Sequence, residues 1–148
     1  MMKPMNISPA SLSEVERIGE GFLGCSLPPH EFDHRAHLIA VTYALVRYPE
    51  LEWTRELPRA IAAFNIAAGG TNAAESGYHH TITMAFLGGI RSITAGTTPT
   101  DAVAASDAVL SSRLGRRDVL LDYWKRPTLF SPEARLQWVA PDIRPLDW

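Results

Sequence analysis

A chain of 148 residues, 46% hydrophobic and 20% charged, has the make-up of one globular domain with one core, neither disordered nor collagenous. Its formal net charge of -2 and sequence pI of about 6.2 offer no basic excess to recruit nucleic acid or an anionic membrane surface. The basic residues are 12 Arg and 2 Lys, but the arginines are scattered along the chain, and we read the skew as a nucleotide-composition bias rather than a phosphate site.

The single cysteine, Cys25, has no internal disulfide partner, which fits a reducing compartment; beside Phe22 and Leu23 it reads as a small packed hydrophobe before it reads as a nucleophile. Met1 to Pro9 has no apolar signal-peptide region. No uncharged apolar run approaches the roughly 20 residues of a membrane span. The expectation is a cytoplasmic protein, with residues 1–10 a flexible N-terminus.

The first predicted helix runs from Ser11 to about Leu27. Ser11 or Ser13 followed by Glu14 or Glu16 is a capping-box pattern, and Leu12, Val15, Ile18, Phe22 and Cys25 recur at helical spacing. Pro28-Pro29 ends it. The second helix starts after Asp33, a good N-cap, and stops at Tyr48 before Pro49. His34, His37, Val41, Ala44 or Leu45, and Tyr48 make one stripe, so two histidines stand at the N-terminal end of the core-facing side. A third helix spans about Glu50 to Ala68, kinked at Pro58 or beginning there, with Gly69-Gly70 as its C-terminal signal. Thr71 to Gly77 reads as a loop.

The fourth helix starts near Tyr78 or His79 and runs to about Thr94. Its stripe is His79, Ile82, Thr83, Phe86, Ile90 and Ile93. Gly88-Gly89 inside it costs about 1 kcal/mol per glycine relative to Ala, which close helix-helix approach would offset. A fifth helix fits Pro99 to Leu114, with Thr98 as N-cap, Pro99 at the first position and Asp101 in the first turn. A sixth covers about Asp118 to Trp124; Val119-Leu120-Leu121 would suit a strand but has no partner strand elsewhere. Residues 131–148 should form a C-terminal strap, with one helical turn at Pro132 to Trp138 and an irregular remainder. The expected fold is all-α: a single-domain up-down bundle of five to six helices over residues 1–148.

Short connections make consecutive helices antiparallel, so the second and fourth helices run parallel, and their N-termini share one end with the C-terminus of the third. That end should collect His34, His37, Asn65 and His79, with His80 and Thr83 as neighbours and Thr71, Asn72 and Glu75 in the covering loop. Neutral imidazoles suit a divalent transition metal such as zinc, iron or nickel. His34 and His37 lie three apart on one face, and His79 would complete three ligands with an open fourth position. His80 or Glu75 would then serve as base or fourth ligand, and Asn65, Thr71 and Thr83 as ligand-binding groups. Two helix N-termini would also attract a small anionic ligand. H-x-x-H alone is a weak motif, and the bland alternative is that these histidines hydrogen-bond loop carbonyls.

At Phe32-Asp33-His34-Arg35-Ala36-His37-Leu38, Phe64-Asn65, Gly77-Tyr78-His79-His80-Thr81-Ile82-Thr83 and Leu129-Phe130-Ser131-Pro132-Glu133-Ala134-Arg135 with Trp138, the chain resembles a family of small, helical, mostly uncharacterised bacterial proteins. Relatives often carry Glu in place of His80, so a catalytic base expected from the resemblance would be replaced here. The resemblance supports a site at these residues and implies no particular reaction.

Three functions remain open on the sequence. One is a metal-assisted enzyme acting on a small anionic molecule. The second is a non-catalytic small-molecule or metal-binding module. The third is a helical interaction protein, homodimeric for instance, with structural histidines; Trp53, Trp124, Trp138 and Trp148 are the residues that would serve it. Helix-turn-helix DNA binding does not fit, because the second helix carries only Arg35 and Arg47 as basic residues.

Overall fold

The computed structural model describes residues 9–95 and 101–148. All regular structure among them is helical. Seven α-helices occur: α1 (Leu12–Leu23), α2 (His34–Arg47), α3 (Trp53–Ala67), α4 (His80–Thr94), α5 (Ala102–Ser111), α6 (Arg126–Leu129) and α7 (Pro132–Leu136). Three short 3-10 turns, Pro29–Glu31, Arg113–Gly115 and Val119–Asp122, join them. Among the described residues no helix is long and apolar enough to cross a membrane.

Local signals set most helix ends. The Ser11 side chain accepts from the Glu14 amide, and the Asp33 side chain accepts from the Ala36 amide, each satisfying a donor that the first helical turn leaves free. Helix α1 ends earlier than Leu27. Cys25 turns the chain with φ 57°, and the amides of Ser26 and Leu27 both donate to the Gly21 carbonyl. Pro58 sits inside α3 without ending it; the helix begins at Trp53, capped by Glu52. At its other end Gly69 takes φ 88°, and the Gly70 amide donates to the Asn65 carbonyl, closing a Schellman motif.

The fifth helix departs from expectation. Asp101 is its N-cap, accepting from the Ala104 amide, and the helix stops at Ser111. Thr98 and Pro99 lie outside the described residues. The stretch from Asp118 to Trp124 holds a single 3-10 turn rather than a helix, and the short α6 has no periodicity that the sequence would reveal. At the N-terminus, Ala10 is buried and its amide donates to Asp107 on α5, so this part of the expected flexible segment is fixed.

Helix α2 lies at the centre, packed against α1, α5 and α4. Leu38 through Ala44 are therefore buried in succession, not on one stripe. The α1 contact is close: a Cβ on Gly19 would lie 2.2 Å from the Tyr43 ring. The glycine pair of α4 is explained differently from expectation. The nearest atoms come from the 3-10 turn after α5 and from the C-terminal residue: a Cβ on Gly89 would meet Leu114 at 2.9 Å and Trp148 at 3.3 Å, and one on Gly88 would meet Trp148 at 3.5 Å.

Candidate ligand cavity

A cavity of about 800 Å³ opens beside the start of α2. Its floor is apolar and buried, formed by Leu38, Leu57, Leu87, Ile90, Leu120 and Leu129. Val41, Ile61, Ile82 and Phe86 extend the walls. The polar groups are few: Asp33, His34, His37, Thr83, Arg117, Asp118 and Arg126, with the half-exposed Phe130 at the edge. Size and lining match the usual small-molecule site, which encloses an apolar body and fixes it with a few polar groups.

Both α2 histidines are oriented by backbone carbonyls. His34 Nε2–H donates to the Leu114 carbonyl at 2.8 Å, and His37 Nδ1–H donates to the Asp33 carbonyl at 2.7 Å. A carbonyl only accepts, so these contacts fix which nitrogen carries the proton. The His37 ring stacks on Phe32, with centroids 3.6 Å apart, and Phe32 in turn packs on Phe22 and Phe64. The His34 ring meets Phe86 edge-on at 5.4 Å. Burial lowers the pKa of both rings, and the positive charge of Arg117 pushes in the same direction. Both imidazoles are thus held toward the neutral form.

His79 does not join them. It caps α4: its Nδ1 accepts from the Ile82 amide at 3.2 Å, while Nε2–H donates to the Leu129 carbonyl at 2.7 Å. Both nitrogens are used, so no lone pair remains for a metal. It is not part of the cavity lining. Among the described residues no group of three or more His, Cys, Asp or Glu side chains is gathered as metal ligands would be. The three-histidine metal centre expected at His34, His37 and His79 is thus not confirmed among the described residues. Histidines do stand at the starts of α2 and α4, but capping turns His79 back onto its own helix.

The other expected site residues divide. Thr83 lines the cavity, with its hydroxyl donating to the His79 carbonyl. Asn65 lies in the last turn of α3, and Thr71 in the loop after it. Asn65 Nδ2 donates to Asn72 Oδ1, which also accepts the Tyr78 amide, and Thr71 Oγ1 lies 3.2 Å from Ser76 Oγ. These bonds fold the loop on itself. Glu75 is exposed there. His80 Nδ1 lies 2.7 Å from the Tyr78 hydroxyl, whose pKa burial pushes up to about 12, so this hydroxyl keeps its proton. Neither Glu75 nor His80 lines the cavity, so neither stands where a base acting inside it would be.

Sequence reasoning missed Arg117 and Arg126. Arg126 stands 5.7 Å from the Phe130 ring centroid. Among the described residues neither arginine pairs with a carboxylate; Asp118, beside them, pairs with Arg116. The available signal was two basic dipeptides, Arg116-Arg117 and Lys125-Arg126, flanking the apolar Val119-Leu120-Leu121. Comparison with known proteins finds no matching family model, no significant match among curated proteins and none among solved structures.

Proposed function

We propose that this protein is a binding module for a small, mainly apolar molecule carrying a negative charge. The observation that carries the proposal is the pairing of an apolar cavity of about 800 Å³ with two arginines at its edge that have no carboxylate partner among the described residues. Apolar walls favour a ligand's hydrocarbon part at roughly 25 cal/mol per Å² removed from water. The unpaired guanidiniums, both exposed at the rim, supply forked donors for an anionic group.

In this proposal the helices form the up-down bundle expected from the sequence, and residues 131–148 act as its strap. Several bonds support the second part. Trp148 Nε1–H donates to the Ala85 carbonyl, the Ile143 amide to the Tyr123 carbonyl, and Trp124 Nε1–H to the Val139 carbonyl. Tyr123 and Arg113 both bond Asp147. The tail is thereby tied to α4 and to the segment that carries Arg117.

The test is thermal unfolding with decanoate, decanol and decylamine below their micelle concentrations. Ligand binding to the native state raises the midpoint by mass action. The expected order of stabilisation is decanoate, then decanol, with decylamine last. No stabilisation by any of the three, or decylamine matching decanoate, would refute the proposal.

A further inference from the structure

The proton on His37 has a fixed place. Nδ1–H is committed to the Asp33 carbonyl at 2.7 Å, so in the neutral ring Nε2 holds a lone pair. No described residue hydrogen-bonds to Nε2, and the ring lines the cavity. The ring cannot readily turn to exchange its nitrogens, because it lies flat on Phe32, which is itself held between Phe22 and Phe64.

The charged and titratable groups around it are few. Asp33 and His34 come from the start of α2, and Arg117, Asp118 and Arg126 come from the cavity-lining stretch after α5. Asp33 spends a side-chain oxygen on the Ala36 amide, and Asp118 pairs with Arg116. Arg117 is left as a cation whose field reaches both His34 and His37.

We propose that the cavity takes an apolar monocarboxylic acid, with its carboxylate seated between the Arg117 guanidinium and His37 Nε2, and that His37 gains one proton as the ligand binds. This rests on the cavity being a ligand site. A carboxylate offers only acceptors, and so does neutral Nε2, so the two repel until a proton stands between them. Protonation turns the contact into a charge-assisted hydrogen bond. The balance is simple: one carboxylate and one solvent proton enter, and an imidazolium–carboxylate pair results. Equivalently, the neutral acid enters and hands its proton to Nε2. A carboxylate also matches a guanidinium fork with two parallel bonds. A dianionic phosphate monoester would bring a second charge to a mainly apolar cavity, at a larger desolvation cost.

In the free protein burial keeps His37 neutral; a neighbouring anion raises its pKa. Proton uptake is therefore largest between the free-state and bound-state pKa values and vanishes well above the latter. The experiment is calorimetric titration of the full chain with decanoate, in phosphate and in Tris, from about pH 6 to about pH 8. The difference in heat between buffers counts the protons. Wild type should take up between a half and one proton per ligand at its maximum, with less at the alkaline end.

H37Q, whose amide can still donate to the carboxylate, should bind about tenfold more weakly with no uptake. H34Q should retain uptake. Nitrogen NMR of the wild-type histidine rings gives a test without any variant: His37 Nε2 should move from the unprotonated to the protonated position when decanoate is added. Binding without proton uptake at any pH, uptake that survives in H37Q, or an unmoved Nε2 signal would overturn the inference. Preference for decyl phosphate over decanoate would overturn the carboxylate while leaving the cavity a ligand site. If decanoate, decanol and decyl phosphate all fail to bind, the reading of the cavity falls with it.

Discussion

Phe32 and His37 lie ring on ring, with centroids 3.6 Å apart and planes 20° from parallel, so an aromatic column joins the Asp33 carbonyl in holding the imidazole at the cavity wall. The stack ties the site to the core, because Phe32 also packs on Phe22, which is fully buried, and Phe64. Phe32→Ala should cost about 2 kcal/mol, below the range for a fully buried phenylalanine because Phe32 is only half-buried. A denaturant melt measures the loss. A change below about 0.5 kcal/mol, the scale of an ordinary surface substitution, would show that the column bears little of the packing.

His79 is a cap and a tertiary tie at once. His79→Ala should lose both, at about 1–3 kcal/mol, leaving the Ile82 amide and the Leu129 carbonyl without their partner. Asn is a good N-cap, so His79→Asn should recover a substantial part of that loss while still lacking the bond to Leu129. Equal destabilisation by the two variants in thermal or denaturant melts would refute the capping role.

The histidines also set a pH dependence. Burial is the largest cause lowering the pKa of His34, of His37 and of His79. The unfolded chain therefore binds more protons than the folded one between the folded-state values and the ordinary value of about 6.5. The stability that comes from keeping these rings neutral is fully present above that value and is lost as pH falls from it through the lowered folded-state values. Midpoints of thermal unfolding should drop between about pH 7 and about pH 5, and the drop should shrink in His79→Asn. A flat profile over that interval would contradict it.

The two glycines of α4 should respond in opposite directions. Gly88→Ala meets Trp148 at an ordinary contact distance of 3.5 Å, so the gain in helix propensity, up to about 1 kcal/mol, should appear as added stability. Gly89→Ala places a methyl group 2.9 Å from the buried Leu114 and 3.3 Å from Trp148. That crowding should cancel the propensity gain and cost about 1–2 kcal/mol beyond it. Parallel thermal melts of the two variants decide the matter.

The all-helical class and four of the helix starts were legible because their signals are local. Ser11 and Asp33 are caps that need no tertiary partner, and Gly69-Gly70 ends α3 as its spacing predicts. Where tertiary packing decides, the reading fails. The single stripe on α2 disappears because three helices surround it. The end of α1 at Leu23 depends on Cys25 accepting a left-handed conformation, which its residue type does not announce. At the site, His34, His37 and Thr83 were found from helical spacing and do line one cavity. Arg117 and Arg126 were passed over, since their segment is built of turns too short to show periodicity. His79 was misplaced because the sequence shows that a histidine stands at a helix start, but not that its ring folds back to accept the Ile82 amide.

The cavity has two unlike sides. One is α2, sheathed along Leu38 to Ala44, whose amides can exchange with deuterium only through openings that disturb most of the core. The other runs from Arg117 to Phe130 through a 3-10 turn and a four-residue helix, with no helix longer than one turn. Both sides are anchored, the second by the buried Leu120, Tyr123, Trp124 and Leu129. A guest held between them would touch both, so slowed deuterium uptake in the Arg117 to Phe130 stretch would report its arrival in the part of the wall that is not one continuous helix.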